Sequence, residues 1–598
     1  MKADQARQKS ENARKKLIGE LETHFGDEQV KSLERIQRDL ALAIRRRLER
    51  LMAIRRIPDD PLFDPVGLAF AVRAMCLLDP DFRQNPLFRE AIETIVECQL
   101  DDGCWPDGVE IISRHGTATL QPSVEVAYVL AASVHTRDAR HSPTAAEVIA
   151  MKIALPALQR HARYLELALL DNARGEGRGW SNDRARNSSN PELWTTALAV
   201  RFLHFAALIN DAVNRAEVLA KYDSSLVTRT RRPNANDPKS PTELFYKELI
   251  QPEDITHPVD EIHARFIMPI EKKMIERRYI TRPARDGVSF LLFGPPRSGK
   301  TFLVKSLAKA LGWPLLSLDP GNFVPRAGES VGAMMSRVFD DLKQLHDVVV
   351  LFDECDELLI SREKEFADVR MPLITSALLT RLASLKDQRG PIFCFATNYY
   401  HRVDTAARGV GRFDAVLMFD RPHESARKRI IAKVWAGVHK EHKSALGDAG
   451  IEELPERLVN KLADELGGCA YLEIQSAVVQ IGLLLFGDSG ILTRVPKTEQ
   501  AAVLDKQLGN NGSPLHKDIT GVISRNTPSR EDYYRWCAGD GKKDLEACDG
   551  GGFSANAKDA LIAAWRGAAQ RSGVTGLDWD WPIRTPTTPQ LPQNPAGS

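Results

Sequence analysis

Eight consecutive residues, Gly294-Pro295-Pro296-Arg297-Ser298-Gly299-Lys300-Thr301, satisfy the pattern G-x-x-x-x-G-K-[ST] at every fixed position. In such a loop the main-chain N–H groups turn inward onto a polyphosphate. Lys300 reaches the β- and γ-phosphates of ATP, and the Thr301 hydroxyl holds Mg2+. About fifty residues on, Asp353 and Glu354 follow the apolar run 348–352. Asp353 is placed to complete the Mg2+ shell and Glu354 to polarise an attacking water as general base. Asn398 stands at the end of a further run, 391–396, where its amide can bind the γ-phosphate and orient that water. The chemistry these types and spacings point to is transfer of a terminal phosphoryl group to water.

Four elements must position these groups. Residues 288–293 (VSFLLF) have the length and composition of a buried parallel strand. Leu303, Leu307 and Leu311 then recur at helical spacing, with Gly312 and Pro314 as stop signals. The runs 348–352 and 391–396 read as two more strands with their polar residues at the C-terminal ends, where open α/β sheets bind ligands.

The chain is long enough, at 598 residues, for about four domains. A formal net charge of +1 gives no global field to attract nucleic acid or an anionic membrane, so such a partner needs a local patch. The polar N-terminus lacks a signal-peptide core, and runs such as VVVLF fall far short of a span, so no membrane span and a cytoplasmic setting are expected. Eight cysteines without a C-x-x-C pair fit reduced thiols rather than disulfides or a zinc site.

Residues 1–60 read as a basic amphipathic helical segment. Leu33, Ile36, Leu40, Ile44, Leu48 and Leu51 form one stripe, and Arg45, Arg46, Arg47, Arg50, Arg55 and Arg56 a basic face. That face either meets phosphate or an acidic partner or is solvated on a helix packed against its own chain; nucleic acid is left open by it but not indicated. Residues 61–226 offer successive apolar helices. Two loops stand out, Gln99-Leu-Asp-Asp-Gly103-Cys-Trp105, which fits Q-x-x-x-G-x-W, and Gly175-Glu-Gly-Arg-Gly179-Trp180. These resemble the α/α-toroid repeat of terpene cyclases and protein prenyltransferases. The aspartate motifs of such catalysts, D-x-D-D and D-D-x-x-D, do not occur in the sequence. A helical scaffold or recognition domain is therefore expected, with a bound small molecule left open. Residues 227–247, polar and proline-punctuated, read as a linker.

Residues 250–490 resemble the AAA family of ring-forming ATPases through GPPRSGKT, LFDECDELL, ITSALLTRLASL, ATN and the GRFD that closes a fifth strand. The resemblance implies an α/β P-loop NTPase over 248–420 with a five-stranded parallel sheet in the order 5-1-4-3-2. It also implies a helical lid over 421–490 and assembly as a homo-hexamer or other homo-oligomeric ring. By the same resemblance Arg412 is an arginine finger reaching the neighbour's γ-phosphate. The sequence departs from the family in having Gly409 where a second finger often stands, with Arg408 one residue back. Arg326-Ala327 replaces an aromatic-hydrophobic pore pair, and Arg297 a small residue of the phosphate loop. Residues 491–580 form a C-terminal extension with short helices near 532–536 and 556–569, and 581–598, rich in proline and threonine, a disordered tail.

Two functions follow as expectations. One is an ATP-hydrolysing ring that remodels or regulates a partner protein chosen by the helical N-terminal domain. The other is an ATP-gated sensor or scaffold, as in bacterial defence, with slow hydrolysis. A prenyl- or terpene-binding enzyme with a regulatory ATPase ranks below both.

Overall fold

The computed structural model describes residues 27–55, 63–79, 81–106, 111–112, 118–119, 123–135, 143–171, 177–181, 191–228, 240–248, 258–271, 289–324, 328–353, 377–378, 380–385, 390–408, 412–441, 454–486, 495–508, 513–548, 555–577 and 579. Glu354, Arg326, Ala327, Gly409, Gly175 and the tail 581–598 lie outside these residues.

The N-terminal part is a helical bundle of α1 (Asp27–Ile54), α2 (Pro65–Leu78), α3 (Pro86–Glu97), α4 (Ser123–Val134), α5 (Ala145–Leu167) and α6 (Leu193–Ala220). Local chemistry sets several starts. Asn85 accepts from Leu87 N ahead of a proline at the first turn of α3, and Thr144 with Glu147 closes a capping box on α5. Helix α4 packs on α2, α5 and α6, around a core that includes Val72, Ile92, Leu130, Leu158 and Phe202. The expected stripe on α1 is only half used: Leu48 and Leu51 are buried, whereas Ile36 and Leu40 are 58% and 48% exposed. Its basic face is partly engaged within the chain, Arg45 with Glu49, Arg47 with Asp64 and Arg55 with Glu97.

The loop residues singled out above lie at helix ends. Gln99 Nε2 donates to Gly103 O and to Ala157 O of α5 (both 2.9 Å), while Trp105 Nε1 donates to Ile95 O (2.8 Å). Likewise Trp180 Nε1 donates to Leu165 O (2.7 Å).

A six-stranded sheet follows. Its strands are β1 (Val227–Thr228), β2 (Ser289–Phe293), β3 (Leu315–Leu318), β4 (Val349–Phe352), β5 (Ile392–Thr397) and β6 (Ala415–Met418), arranged β6-β2-β5-β4-β3-β1. The last five in chain order are mutually parallel; β1 pairs antiparallel with β3 through Val227↔Leu316. Beyond the five parallel strands expected, the sheet thus has a sixth, antiparallel edge strand, which went unread because a two-residue strand inside a polar stretch carries no alternation.

Side chains alternate between two cores with the strand period of two. Leu291, Phe293, Val350, Phe352, Phe393 and Phe395 face one core, and Phe290, Leu292, Val349, Leu351, Ile392 and Cys394 the other. Both faces are covered, which is why these strands read as unbroken apolar runs. Helices α7 (Pro241–Glu248), α8 (Pro258–Ile262) and α9 (Lys300–Leu311) occupy the second face, and α10 (Val331–Lys343) with the short α11 (Thr405–Arg408) the first. Phe245 of α7 is fully buried, and burial of such a ring is worth roughly 2–3 kcal/mol, so the end of the expected linker is fixed to the sheet.

The sheet core also reaches back across the boundary placed at 226/227, as far as the end of α6. Residues 198–213 of that helix belong to the bundle core, while Val218 joins the sheet core with Leu219, Tyr222 and Leu226 against it. Lys221 pairs with Asp341 (2.5 Å) and Arg215 donates to His346 O (3.2 Å). Among the described residues, α6 is the one helix long and apolar enough to cross a membrane, by length and composition alone. One face of it packs on α4 and α5.

The helices α12 (Glu424–Glu441), α13 (Glu456–Glu465) and α14 (Tyr471–Phe486) form a further core with α15 (Lys497–Leu508) and α16 (Pro514–Asn526). After these, α17 (Arg530–Trp536), α18 (Lys542–Ala547) and α19 (Ala555–Arg571) return to the first face of the sheet. The C-terminal extension is therefore divided between two cores.

Candidate functional site

The loop 294–299 joins β2 to α9. Gly294 has φ 148°, and a Cβ there would stand 2.3 Å from Phe419 O, so only glycine fits beside β6. Gly299 (φ 103°) is the residue before α9, and no side chain caps that helix end. An uncapped helix N-terminus with an inward-turned loop is the polar surroundings an anionic phosphate requires. Arg297 adopts φ 63°, the left-handed region, which a residue with a side chain seldom occupies.

Lys300 is buried, and its Nζ donates to Gly294 O, Pro295 O and Asn398 Oδ1, each at 2.9 Å. Thr301 Oγ1 donates to Asp353 Oδ2 (2.9 Å). The ends of β2, β4 and β5 thus bring together Lys300, Thr301, Asp353 and Asn398. A hydroxyl and a carboxylate in contact supply the oxygen donors a hard divalent cation takes, so Thr301 and Asp353 fit Mg2+ and the loop fits a polyphosphate. Arg412 is exposed ahead of β6 and makes no hydrogen bond to Lys300, Thr301, Asp353 or Asn398 of its own chain. Glu354, the expected base, lies outside the described residues.

A second cluster, which the motifs did not reveal, borders the loop. Arg421, just past β6 and buried, donates to Pro296 O (3.1 Å), to Gly468 O (2.8 Å) at the start of α14, and to Ser529 Oγ (3.0 Å). Glu473 of α14 lies 3.7 Å from Arg421 and 3.9 Å from Arg297, and accepts from the Ser529 hydroxyl (2.7 Å). Arg297 is thereby connected to α14, a role its sequence context left unassigned. Asp420 accepts from Tyr533 OH (3.0 Å) and Trp565 Nε1 (2.8 Å); burial raises its pKa, opposed by those bonds. The readable signal was the adjacent pair Asp420-Arg421, two charges after an apolar strand at the ligand-binding edge of the sheet.

Residues 290–421 match the profile of the "ATPase family associated with various cellular activities (AAA)". An AAA ATPase domain is therefore present, with long stretches on both sides outside the match. The "ATP-dependent zinc metalloprotease FtsH" of Mycobacterium leprae is 28% identical over 238 residues, 39% of this chain and 28% of that protein. An AAA domain-containing protein of Schizosaccharomyces pombe is 28% identical over 183 residues, 30% of this chain and 23% of its own length. The chain thus spans under a third of these relatives. Among solved structures, the FIGL-1 AAA domain in complex with ADP aligns with TM-score 0.34 and 15% identity, covering 54% of this chain and 97% of that one. A katanin self-assembly structure aligns with TM-score 0.33 and 16% identity, covering 56% and 96%.

Proposed function

We propose that this chain binds ATP with Mg2+ on the loop Gly294–Thr301 and hydrolyses it within a ring of identical subunits. Turnover would remodel or regulate a partner protein selected by the helical bundle. The observation that carries the reading is the convergence of the Lys300 ammonium on Asn398 beside the Thr301–Asp353 pair, at the uncapped start of α9. Bound there, Mg2+-ATP supplies the phosphoanhydride bond whose terminal phosphoryl group passes to water.

The residues then divide the work. Lys300 neutralises phosphate charge, and the N–H groups of the loop hold the chain of phosphates. Thr301 and Asp353 hold the cation. Asn398 orients the water, and Glu354 takes its proton. Arg412, exposed and bonded to none of these residues, serves the site of the adjoining subunit, where an arginine is worth on the order of a thousandfold in rate.

Steady-state phosphate release and nucleotide binding test this. Lys300→Ala should lose binding, and Glu354→Gln should bind ATP but hydrolyse it at least about 100-fold more slowly. Wild-type turnover by Glu354→Gln would remove the assigned base. Assembly on ATP with little turnover by the native chain would favour the gated scaffold instead.

A further inference from the structure

The segment 398–408 is pinned from outside the AAA match. Trp536, at the end of α17 and 6% exposed, donates from Nε1 to Asn398 O (3.1 Å). At His401, three residues past Asn398, both the main-chain N (2.7 Å) and Nδ1 (2.5 Å) donate to Oδ1 of Asp544 of α18, which is fully buried. Arg408 NH1 then donates to Ala547 O (3.4 Å). On its other side the same stretch rests on the phosphate-loop strand, since Tyr400 stacks on Phe293 with centroids 4.7 Å apart.

The pins are themselves held. The Trp536 ring meets Trp565 edge-on (5.9 Å), and a Cβ on Gly541 would come within 2.5 Å of it, so no larger residue fits there without moving the ring. Residues 530–548 thus make one wedge between α19 and the loop.

We propose that this wedge is a brace for nucleotide sensing, in which Trp536 and Asp544 are positioning residues that hold Asn398 against Lys300 and fix the segment 398–408. The main-chain carbonyl of Asn398 is bonded to Trp536 while its side-chain oxygen is bonded to Lys300, so the residue is held at both its main chain and its side chain. Fixing matters because a displacement of about 1 Å at a catalytic group can cost on the order of 100-fold in rate. The inference rests on the reading of the site given above.

The test is ATP hydrolysis by the full chain carrying Trp536→Phe, Asn398→Ala, or both. Trp536→Phe keeps an aromatic side chain and removes the donor together with part of the indole's bulk. We expect kcat to fall about tenfold with KM for ATP changed less than about twofold, and the double variant to be no slower than Asn398→Ala alone. Wild-type kcat for Trp536→Phe, or losses that simply multiply, would overturn the brace. If Trp536→Phe does not fold, judged by near-ultraviolet dichroism, Asp544 carries the same test. Asp544→Asn retains an acceptor and should keep most of kcat, whereas Asp544→Ala should not; equal rates for the two would overturn it. Should Lys300→Ala and Asn398→Ala both turn over normally, the site reading itself fails and takes the brace with it. Should they lose activity while the brace variants do not, only the brace is lost.

Discussion

At the scale of single residues, the site is governed by where a Cβ can and cannot go. Gly294 occupies a conformation that other residues rarely adopt, with the Phe419 carbonyl where its side chain would be. Gly294→Ala should therefore push the loop away from β6, lowering stability by roughly 1–3 kcal/mol. Titration with a fluorescent ATP analogue should show affinity falling at least about tenfold; unchanged binding would mean the loop's path is not what holds the phosphates. Arg297 is the opposite case, a long side chain accepted in a left-handed turn and connected to Glu473. The residues that motifs could name, Lys300, Thr301, Asp353 and Asn398, were legible because their spacing to apolar strands is fixed by the geometry of one sheet edge. Arg421, Ser529 and Glu473 were not, because the hydrogen-bond partners named for them are 47 to 125 residues away in sequence and follow no local pattern.

At the scale of elements, legibility followed burial. Strands β2, β4 and β5 announce themselves because both faces are covered and every residue but Ser289 and Thr397 is apolar. Strand β1 and helix α7 hide in polar sequence, since β1 pairs along one edge and α7 meets the core through the short run Leu244, Phe245 and Tyr246. In the helical bundle, His161 is fully buried against Trp105, Tyr164 and Phe202, its Nδ1 2.9 Å from Gly103 O. A carbonyl partner requires the proton on Nδ1, and Nε2 has no hydrogen-bond partner. Burial lowers its pKa from 6.5 to about 4, and does the same to His135. The sign follows directly: below pH 6.5 the unfolded chain binds a proton that the folded imidazole refuses. The stability held by the neutral ring is complete above that pH and is lost as pH falls toward about 4, by roughly 3 kcal/mol for His161 over the window. Urea unfolding followed by tryptophan fluorescence should show this slope, and His161→Gln should flatten it; an unaltered slope would assign the acid sensitivity elsewhere.

At the scale of the whole molecule, the phosphate loop, the segment before α14 and the segment before α17 share one arginine: Arg421 bonds all three. A finger supplied between subunits, as proposed for Arg412, would add a requirement for neighbours. Arg412→Ala chains alone should bind nucleotide and remain inactive, and Lys300→Ala chains should bind none. Mixed, the two should recover part of the wild-type rate, because a Lys300→Ala subunit still offers its arginine to an intact pocket; phosphate release from the mixture measures it, and no recovery would argue that each subunit acts alone. The unbroken run of α6 from bundle to sheet has a mechanical meaning as well. A rod of 28 residues is about 42 Å long, so a tilt of about 10° at its base carries its tip through roughly 7 Å. Small rearrangements under the sheet are delivered to the bundle as large excursions, with the stiff rod acting as the pointer of a balance.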